Sequence, residues 1–145
     1  MRLVSLELAG FRGFASEKKF DFDADAVVVI GSNGNGKTSM FDAILWAISG
    51  RVPRLGDQES DLVSKFADTG QARVVLQLKQ NRNGKPIKIS RVFDGKESTV
   101  SVDVDGRVSR GPAAEGHVID LIWADAAAAA VPADAMALAL TRSAY

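Results

Sequence analysis

The sequence predicts an α/β fold: a mixed sheet with a strand–loop–helix unit, then an antiparallel β-meander lobe and a C-terminal helical segment. Three observations support this class. Residues 26–30 are continuously apolar and mostly β-branched, which is typical of a central strand covered on both faces. That run leads directly into a glycine-rich segment. Residues 72–79, 87–93 and 98–104 then form three strand-like runs separated by turn signals.

Along the sequence, two further strands precede the central strand and a helix follows the glycine-rich segment. Residues 3–8 alternate apolar and polar side chains, and residues 19–23 do the same, so we expect two short strands that can pair with each other. After the glycine-rich segment we expect a helix from about Lys37 to Gly50, where Gly50 and Pro53 end it. Its apolar residues recur at helical spacing and predict one buried stripe, formed by Phe41, Ile44, Leu45 and Ile48.

The sequence pattern divides the chain into four parts. We expect the first 50 residues to form the core around the glycine-rich loop, residues 51–71 a loop with at most one short helix, and residues 72–110 the meander lobe. Residues 111–145 are expected to be helical, with a helix from Glu115 onward and an alanine-rich stretch interrupted by Pro132. All four parts are assigned to a single N-terminal domain.

Composition narrows the possible functions. The chain has 145 residues, close to the commonest size of one domain, and 46% of them are hydrophobic. It has no cysteine, which excludes disulfides, zinc–thiolate sites and cysteine nucleophiles. The 18 basic and 18 acidic residues give a net charge of zero. A chain that binds nucleic acid non-specifically by itself usually has a net positive charge. Glu7 interrupts the N-terminal apolar stretch, so we expect neither a signal peptide nor a membrane span, and a cytoplasmic location.

The glycine-rich segment matches the phosphate-binding Walker A motif, G-x-x-x-x-G-K-[ST], at every fixed position. It reads Gly31-Ser32-Asn33-Gly34-Asn35-Gly36-Lys37-Thr38. Backbone N–H groups can converge on a triphosphate only where no Cβ blocks the turn, which explains the glycines. A helix N-terminus adds positive potential and Lys37 adds a full charge. Thr38 offers a hydroxyl to Mg²⁺, and Ser39 is placed to reach the α-phosphate. The motif predicts binding of ATP and Mg²⁺ by the core half of a P-loop NTPase.

The N-terminal third resembles a known family. Residues 3–8, 11–14, 20–22, 29–39 and 41–47 are similar to the opening of the AAA-type, ABC-type ATPase heads of the SMC, RecF and SbcC-like proteins. The resemblance is strong over the first 50 residues and only architectural beyond them. It implies a head that sandwiches ATP between two copies and couples hydrolysis to DNA repair or chromosome maintenance. It also implies that Arg12 contacts the nucleotide phosphates. The expected nucleotide-binding residues are therefore Arg12, Asn33, Gly34, Asn35, Gly36, Lys37, Thr38 and Ser39, with Thr38 as the metal ligand.

The sequence lacks other parts that hydrolysis requires. We find no pair of acids at the end of a second core strand and no signature loop; Asp125 follows four non-polar residues, but its surroundings are helical. The resemblance implies that a C-terminal half of the head and a second head supply these parts, with DNA as an indirect partner. We therefore interpret the chain as the N-terminal part of a longer ATPase, with no catalytic residue of its own. ATP hydrolysis is assigned only to the full-length protein.

Two alternatives stay open at this point. The chain could be a free-standing small P-loop NTPase or kinase, which would need a lid and a second-strand acid. It could also be a non-catalytic interaction module with a vestigial loop.

Several other residues are better explained by structure than by chemistry. His117 is the only histidine and has no partner cluster, so we expect a surface or helix-start residue. Trp46 and Trp123 are expected to pack in the core or at its edge. The basic residues Arg51, Arg54 and Lys65 fit a solvated loop, and the acidic set Asp21, Asp23 and Asp25 fits a solvent-facing edge.

Overall fold

A computed structural model describes residues 1–22, 37–53, 59–80 and 83–128. The predicted central strand at 26–30 and the loop at 31–36 lie outside the described residues. So does everything predicted beyond residue 128, including the end of the alanine-rich stretch. The side chains of Glu59 and of residues 123–128 also lie outside the description, and Trp123 is among them.

The described strands form one six-stranded antiparallel sheet with the order β2-β1-β3-β4-β5-β6. The strands are β1 (Arg2–Ala9), β2 (Lys18–Asp21), β3 (Ala72–Lys79), β4 (Pro86–Phe93), β5 (Ser98–Val104) and β6 (Arg107–Arg110). The predicted N-terminal pair and the three strands of the meander are all confirmed, and β6 extends the meander. Because β1 pairs with both β2 and β3, the N-terminal hairpin and the meander share a single sheet.

The alternating pattern of β1 has the expected physical consequence. Leu6 and Leu8 are fully buried, whereas Glu7 between them is partly exposed and pairs with Arg73 of β3 at 3.3 Å. Leu6 lies opposite Phe20 on one side and Leu76 on the other, so each partner strand continues the apolar face.

The β4–β5 and β5–β6 turns of the meander coincide with the dipeptides Asp94-Gly95 and Asp105-Gly106, which are typical hairpin-turn signals. Asp105 and Gly106 join β5 to β6 with φ of 54° and 88°, the positive values that a two-residue hairpin turn of type I′ requires. The carboxylate of Asp103 accepts the Gly106 N–H at 2.8 Å. At the β4–β5 turn, Asp94 accepts two backbone N–H groups in the same manner.

Helix α1 (Lys37–Ser49) begins and ends where predicted, but it is buried on more than one stripe. Ile44 and Leu45 are buried as expected, while Phe41 and Ile48 are only partly buried. The other buried residues of this helix are Met40, Asp42, Ala43, Trp46 and Ala47. The wider burial has a simple reason: α1 contacts β3 and β4 and also a second helix, so several of its faces are covered.

Helix α2 (Pro112–Ala128) begins three residues before the predicted start at Glu115. The Gly111 carbonyl accepts the N–H groups of Ala114 and Glu115, which forms the first turn. Pro112 occupies the first helical position, where its missing N–H costs nothing. The Gly111-Pro112 pair therefore ends the strand and also starts the helix. Within the described ranges, no helix has the length and apolar character needed to cross a bilayer.

A buried arginine joins the sheet to both helices. Arg91 of β4 is 1% exposed, and its guanidinium makes a bidentate ion pair with Glu115 of α2 at 2.5 and 3.1 Å. The same group donates to the Ala47 carbonyl of α1 at 3.3 Å and lies 5.9 Å from the ring of Trp46. We refer to Arg91, Glu115, Ala47 and Trp46 as the Arg91 clasp.

The described part of the segment expected to be mainly loop includes a short helix. A 3-10 helix spans Glu59–Leu62, and Val63 then forms a bridge with Phe11, just beyond β1. This bridge brings residues that are about fifty positions apart into contact at one end of α1.

Candidate nucleotide-binding site

The site is built around a tight turn between β1 and β2. Phe11 and Phe14 exchange two backbone hydrogen bonds, at 3.0 and 2.8 Å, which leaves Arg12 and Gly13 at the tip. Arg12 has φ of 49°, a left-handed conformation that is uncommon for a residue with a Cβ. Backbone strain of this kind persists where the surroundings enforce it, and it concentrates at ligand-binding positions.

The turn formed by residues 11–14, called the Arg12 turn below, is fixed by the C-terminal end of the 3-10 helix. The Arg12 N–H donates to the Leu62 carbonyl at 2.7 Å, and its guanidinium donates to the Asp61 carbonyl at 2.9 Å. One edge of the guanidinium is therefore anchored. Its Nε is buried and finds no acceptor within the described residues.

The N-terminus of α1 meets the same turn. Ser39, in the first turn of the helix, accepts the Gly13 N–H through Oγ at 3.2 Å. The first turn of α1 contains no acidic residue, so no carboxylate of its own neutralises the positive end of the helix. Lys37 is partly buried at the helix start, and Thr38 is exposed beside it.

An open cavity of about 410 Å³ lies between these elements. Its wall comprises Arg12, Gly13, Ser39, Ser60, Asp61, Val63, Lys65 and Phe66. The volume is within the usual range for small-molecule sites. The guanidinium, the lysine ammonium and the two serine hydroxyls can all donate hydrogen bonds and outnumber the one carboxylate of the wall, that of Asp61, so this wall suits an anion with several oxygen atoms.

Of the eight predicted binding residues, the structure describes four. Arg12 and Ser39 line the same cavity, which brings together two residues that are 27 positions apart. Lys37 and Thr38 lie in the first turn of α1, as the motif predicts. The other four, Asn33, Gly34, Asn35 and Gly36, lie outside the described residues. The assignment of all eight to nucleotide binding stays a prediction.

Most of the residues that are expected to have a structural role lie where the sequence predicts them. His117 lies in the second turn of α2, where its Nδ1 is 3.3 Å from Ser109 Oγ. Trp46 is fully buried in the core, and Asp21 and Arg51 are exposed. Asp125 lies within α2 and not at a strand end. Across the described ranges, no cluster of three or more metal-ligating side chains occurs. Asp23, Asp25 and Arg54 lie outside these ranges.

Sequence reasoning missed the part of the wall contributed by residues 60–66. The apolar set Leu62, Val63 and Phe66 is visible in the sequence, but its spacing carries no sign of a ligand. The contact with the Arg12 turn is long-range, and only the fold reveals it. Lys65, considered above as a solvated loop residue, is exposed and also lines the cavity.

Comparison with known proteins places the chain in a family. Residues 5–116 match the family model described as an AAA domain. The chain is 33% identical over 106 residues to the chromosome partition protein Smc of Lactiplantibacillus plantarum, a match that covers 71% of this chain. It is 32% identical over 111 residues to a probable DNA double-strand break repair Rad50 ATPase of Aquifex aeolicus, covering 74% of this chain. The matches span only 8% and 11% of those relatives.

Solved structures show the same fold. One, described as "Structural biochemistry of ATP-driven dimerization and DNA stimulated activation of SMC ATPases", superposes with a TM-score of 0.69 at 21% identity, covering 92% of this chain and 82% of the other. The SMC head domain from Thermotoga maritima gives a TM-score of 0.56 at 25% identity, with 76% and 39% covered. The fold agrees with the family match, since it has the antiparallel sheet and the helix that begins within the Walker A motif. The chain therefore belongs to the AAA domain family and has the fold of the N-terminal part of an SMC/Rad50-type ATPase head.

Proposed function

We propose that this chain binds ATP with Mg²⁺ at the N-terminus of α1, as the Walker A half of an SMC/SbcC-like ATPase head. The observation that carries the proposal is the position of Arg12. A strained turn holds its guanidinium beside the first turn of α1, and its Nε lacks an acceptor among the described residues. A phosphate oxygen is the kind of acceptor that suits such a group.

Each residue has a distinct part in this proposal. The backbone of residues 31–36 and the N-terminus of α1 donate N–H groups to the phosphates. Lys37 neutralises charge on the β- and γ-phosphates, and Arg12 adds a second cation from the β1–β2 turn. Ser39 accepts from Gly13 through Oγ and keeps its hydroxyl proton for a phosphate oxygen. Thr38 would hold the Mg²⁺, which reduces the repulsion between phosphate oxygens when it is bound.

The wider activity follows from the family and forms part of the same proposal. The full-length protein would hydrolyse ATP only when a C-terminal half completes the head and a second head closes over the nucleotide. One solved relative is described by its ATP-driven dimerization, which supports this arrangement. DNA would be an indirect partner, in chromosome maintenance or DNA repair, in a cytoplasmic protein. The free-standing kinase is not favoured, because the relatives are Smc and Rad50 proteins.

Thermal denaturation with and without nucleotide tests the binding. With Mg²⁺ and ATP at about a hundred times Kd, we expect the Tm of the chain to rise by roughly 5–10 °C, because a ligand bound only to the folded state stabilises it. Lys37→Ala should abolish most of this rise.

Lys85→Ala is the matched control, since Lys85 is exposed and follows the β3–β4 turn, outside the candidate site. We expect its Tm to rise with nucleotide as in the unmodified chain. If the unmodified chain and Lys37→Ala respond equally to nucleotide, the proposed site is wrong.

A further inference from the structure

An exposed aromatic side chain lines the candidate nucleotide cavity. Phe66 is 82% exposed, more than the other exposed large hydrophobic residues of the described ranges, Val108 at 52% and Ile119 at 50%. An isolated exposed apolar residue needs no explanation. Phe66, however, shares a cavity wall with Arg12 and Ser39, the residues proposed to contact phosphates.

The backbone around Phe66 is fixed to the same turn that carries Arg12. The N–H of Ser64 donates to the Gly10 carbonyl at 2.7 Å, and Ser64 itself is buried. Ser64 Oγ accepts the Phe66 N–H at 3.3 Å, and its carbonyl accepts the Ala67 N–H at 3.2 Å. The Phe66 ring is thus presented to solvent from a defined turn, a geometry that lowers the entropy cost of binding a ligand.

The cavity wall combines two kinds of surface. Arg12, Lys65 and Ser39 supply charged and polar donors, while Val63 and Phe66 supply apolar surface. A nucleotide has the same division, because its phosphates are anionic and its base is flat and mainly apolar on both faces. Aromatic side chains bind nucleobases by stacking on these faces.

We infer that Phe66 stacks on the base of the bound nucleotide. This inference rests on the proposed function and adds the part of the site that holds the base. Stacking uses the π-face that every base has, so Phe66 would contribute to the affinity for adenine and guanine nucleotides alike.

The test compares ATP with inorganic tripolyphosphate, which has the phosphates and no base. Calorimetry in Mg²⁺ is applied to the unmodified chain, Phe66→Ala, Phe66→Trp and the control Val108→Ala, which removes an exposed apolar residue from β6. We expect Phe66→Ala to weaken ATP binding about tenfold, the scale of one base–aromatic stack, and to leave tripolyphosphate binding unchanged. Phe66→Trp should retain the ATP affinity, and Val108→Ala should match the unmodified chain.

The outcomes separate this inference from the proposed function. If the unmodified chain binds both ligands and Phe66→Ala binds ATP equally well, stacking is wrong and phosphate binding stands; this is also the result expected if Phe66 instead contacts a partner protein. Equal weakening of ATP and tripolyphosphate would likewise overturn stacking. If the folded, unmodified chain binds neither ligand, the proposed function fails and the inference falls with it.

Discussion

Gly10 occupies a position just beyond β1 that has no room for a side chain. Its φ is +64°, and a Cβ built on it would lie 2.1 Å from the carbonyl oxygen of Gln71. The Gly10 carbonyl accepts the Ser64 N–H, so Gly10 also fixes one wall of the candidate site. At this position the sequence pattern indicates a turn, but the close approach to Gln71 depends on where the chain enters β3, about sixty residues later.

We predict that Gly10→Ala destabilises the chain by about 3 kcal/mol, through left-handed strain and overpacking against backbone. Gly116→Ala is the matched control, because Gly116 lies in α2 with open space around its Cβ direction. It should stabilise the chain by about 0.5–1 kcal/mol by restricting the unfolded chain. Urea denaturation measures both, and equal effects of the two substitutions would contradict the account.

Asp94 gives the β4–β5 turn a dependence on pH. Its carboxylate accepts the N–H groups of Lys96 and Glu97 at 2.8 and 2.9 Å, and these bonds, that from Glu97 first, hold its pKa below the usual 3.8. A depressed pKa stabilises the folded state above pH 3.8, and this contribution is lost as the pH falls through the lower folded pKa.

Asp94→Asn isolates this effect, because the amide oxygen can still accept but does not titrate. We predict that the unmodified chain is more stable than Asp94→Asn at pH 7 and that this difference disappears in strong acid. Denaturation midpoints of both chains across pH 2–7 would show it. A stability difference that is independent of pH would be inconsistent with the turn geometry.

At the scale of elements, the Arg91 clasp connects the sheet to both described α-helices through polar contacts. Arg91→Ala removes the bidentate pair and leaves a cavity beside Trp46, so we predict a loss of about 3 kcal/mol in the free energy of unfolding. Arg110→Ala, an exposed residue of β6, should change stability by no more than about 0.5 kcal/mol. A small effect of Arg91→Ala in urea denaturation would show that water replaces the clasp easily.

The elements themselves could largely be predicted from the sequence, since alternation, helical spacing and turn dipeptides are local signals. The Arg91 clasp could not, because β4 reads as an ordinary alternating strand and Glu115 lies 24 positions away. The same limit applies to α1. Its neighbours on several sides decide its burial, and the sequence shows only one apolar stripe.

The candidate site also combines residues that local sequence signals predict with residues that only long-range contacts bring in. The Walker A motif is contiguous, so the sequence displays it directly. Arg12 is predicted from the family resemblance alone; the structure places it in a strained turn, and its contact with nucleotide stays a prediction. The cavity is also lined by Val63, Lys65 and Phe66, because their segment contacts the Arg12 turn. No local sequence pattern predicts these long-range contacts.

At the scale of the molecule, the six-stranded sheet of the described residues predicts cooperative unfolding. β1 lies between β2 and β3, so the N-terminal hairpin cannot separate from the meander without breaking the β1–β3 ladder. We predict that tryptophan fluorescence and far-ultraviolet circular dichroism report the same urea midpoint. Two distinct midpoints would instead divide the chain into separate folding units.

The central claim is that the N-terminus of α1, the loop before it and Arg12 together form a site for ATP. Calorimetric titration of the folded chain with ATP in Mg²⁺ tests it most directly. The account predicts saturable heat corresponding to one nucleotide per chain, and its loss in Lys37→Ala. Heat no greater than that of dilution, from a chain shown to be folded, would contradict it.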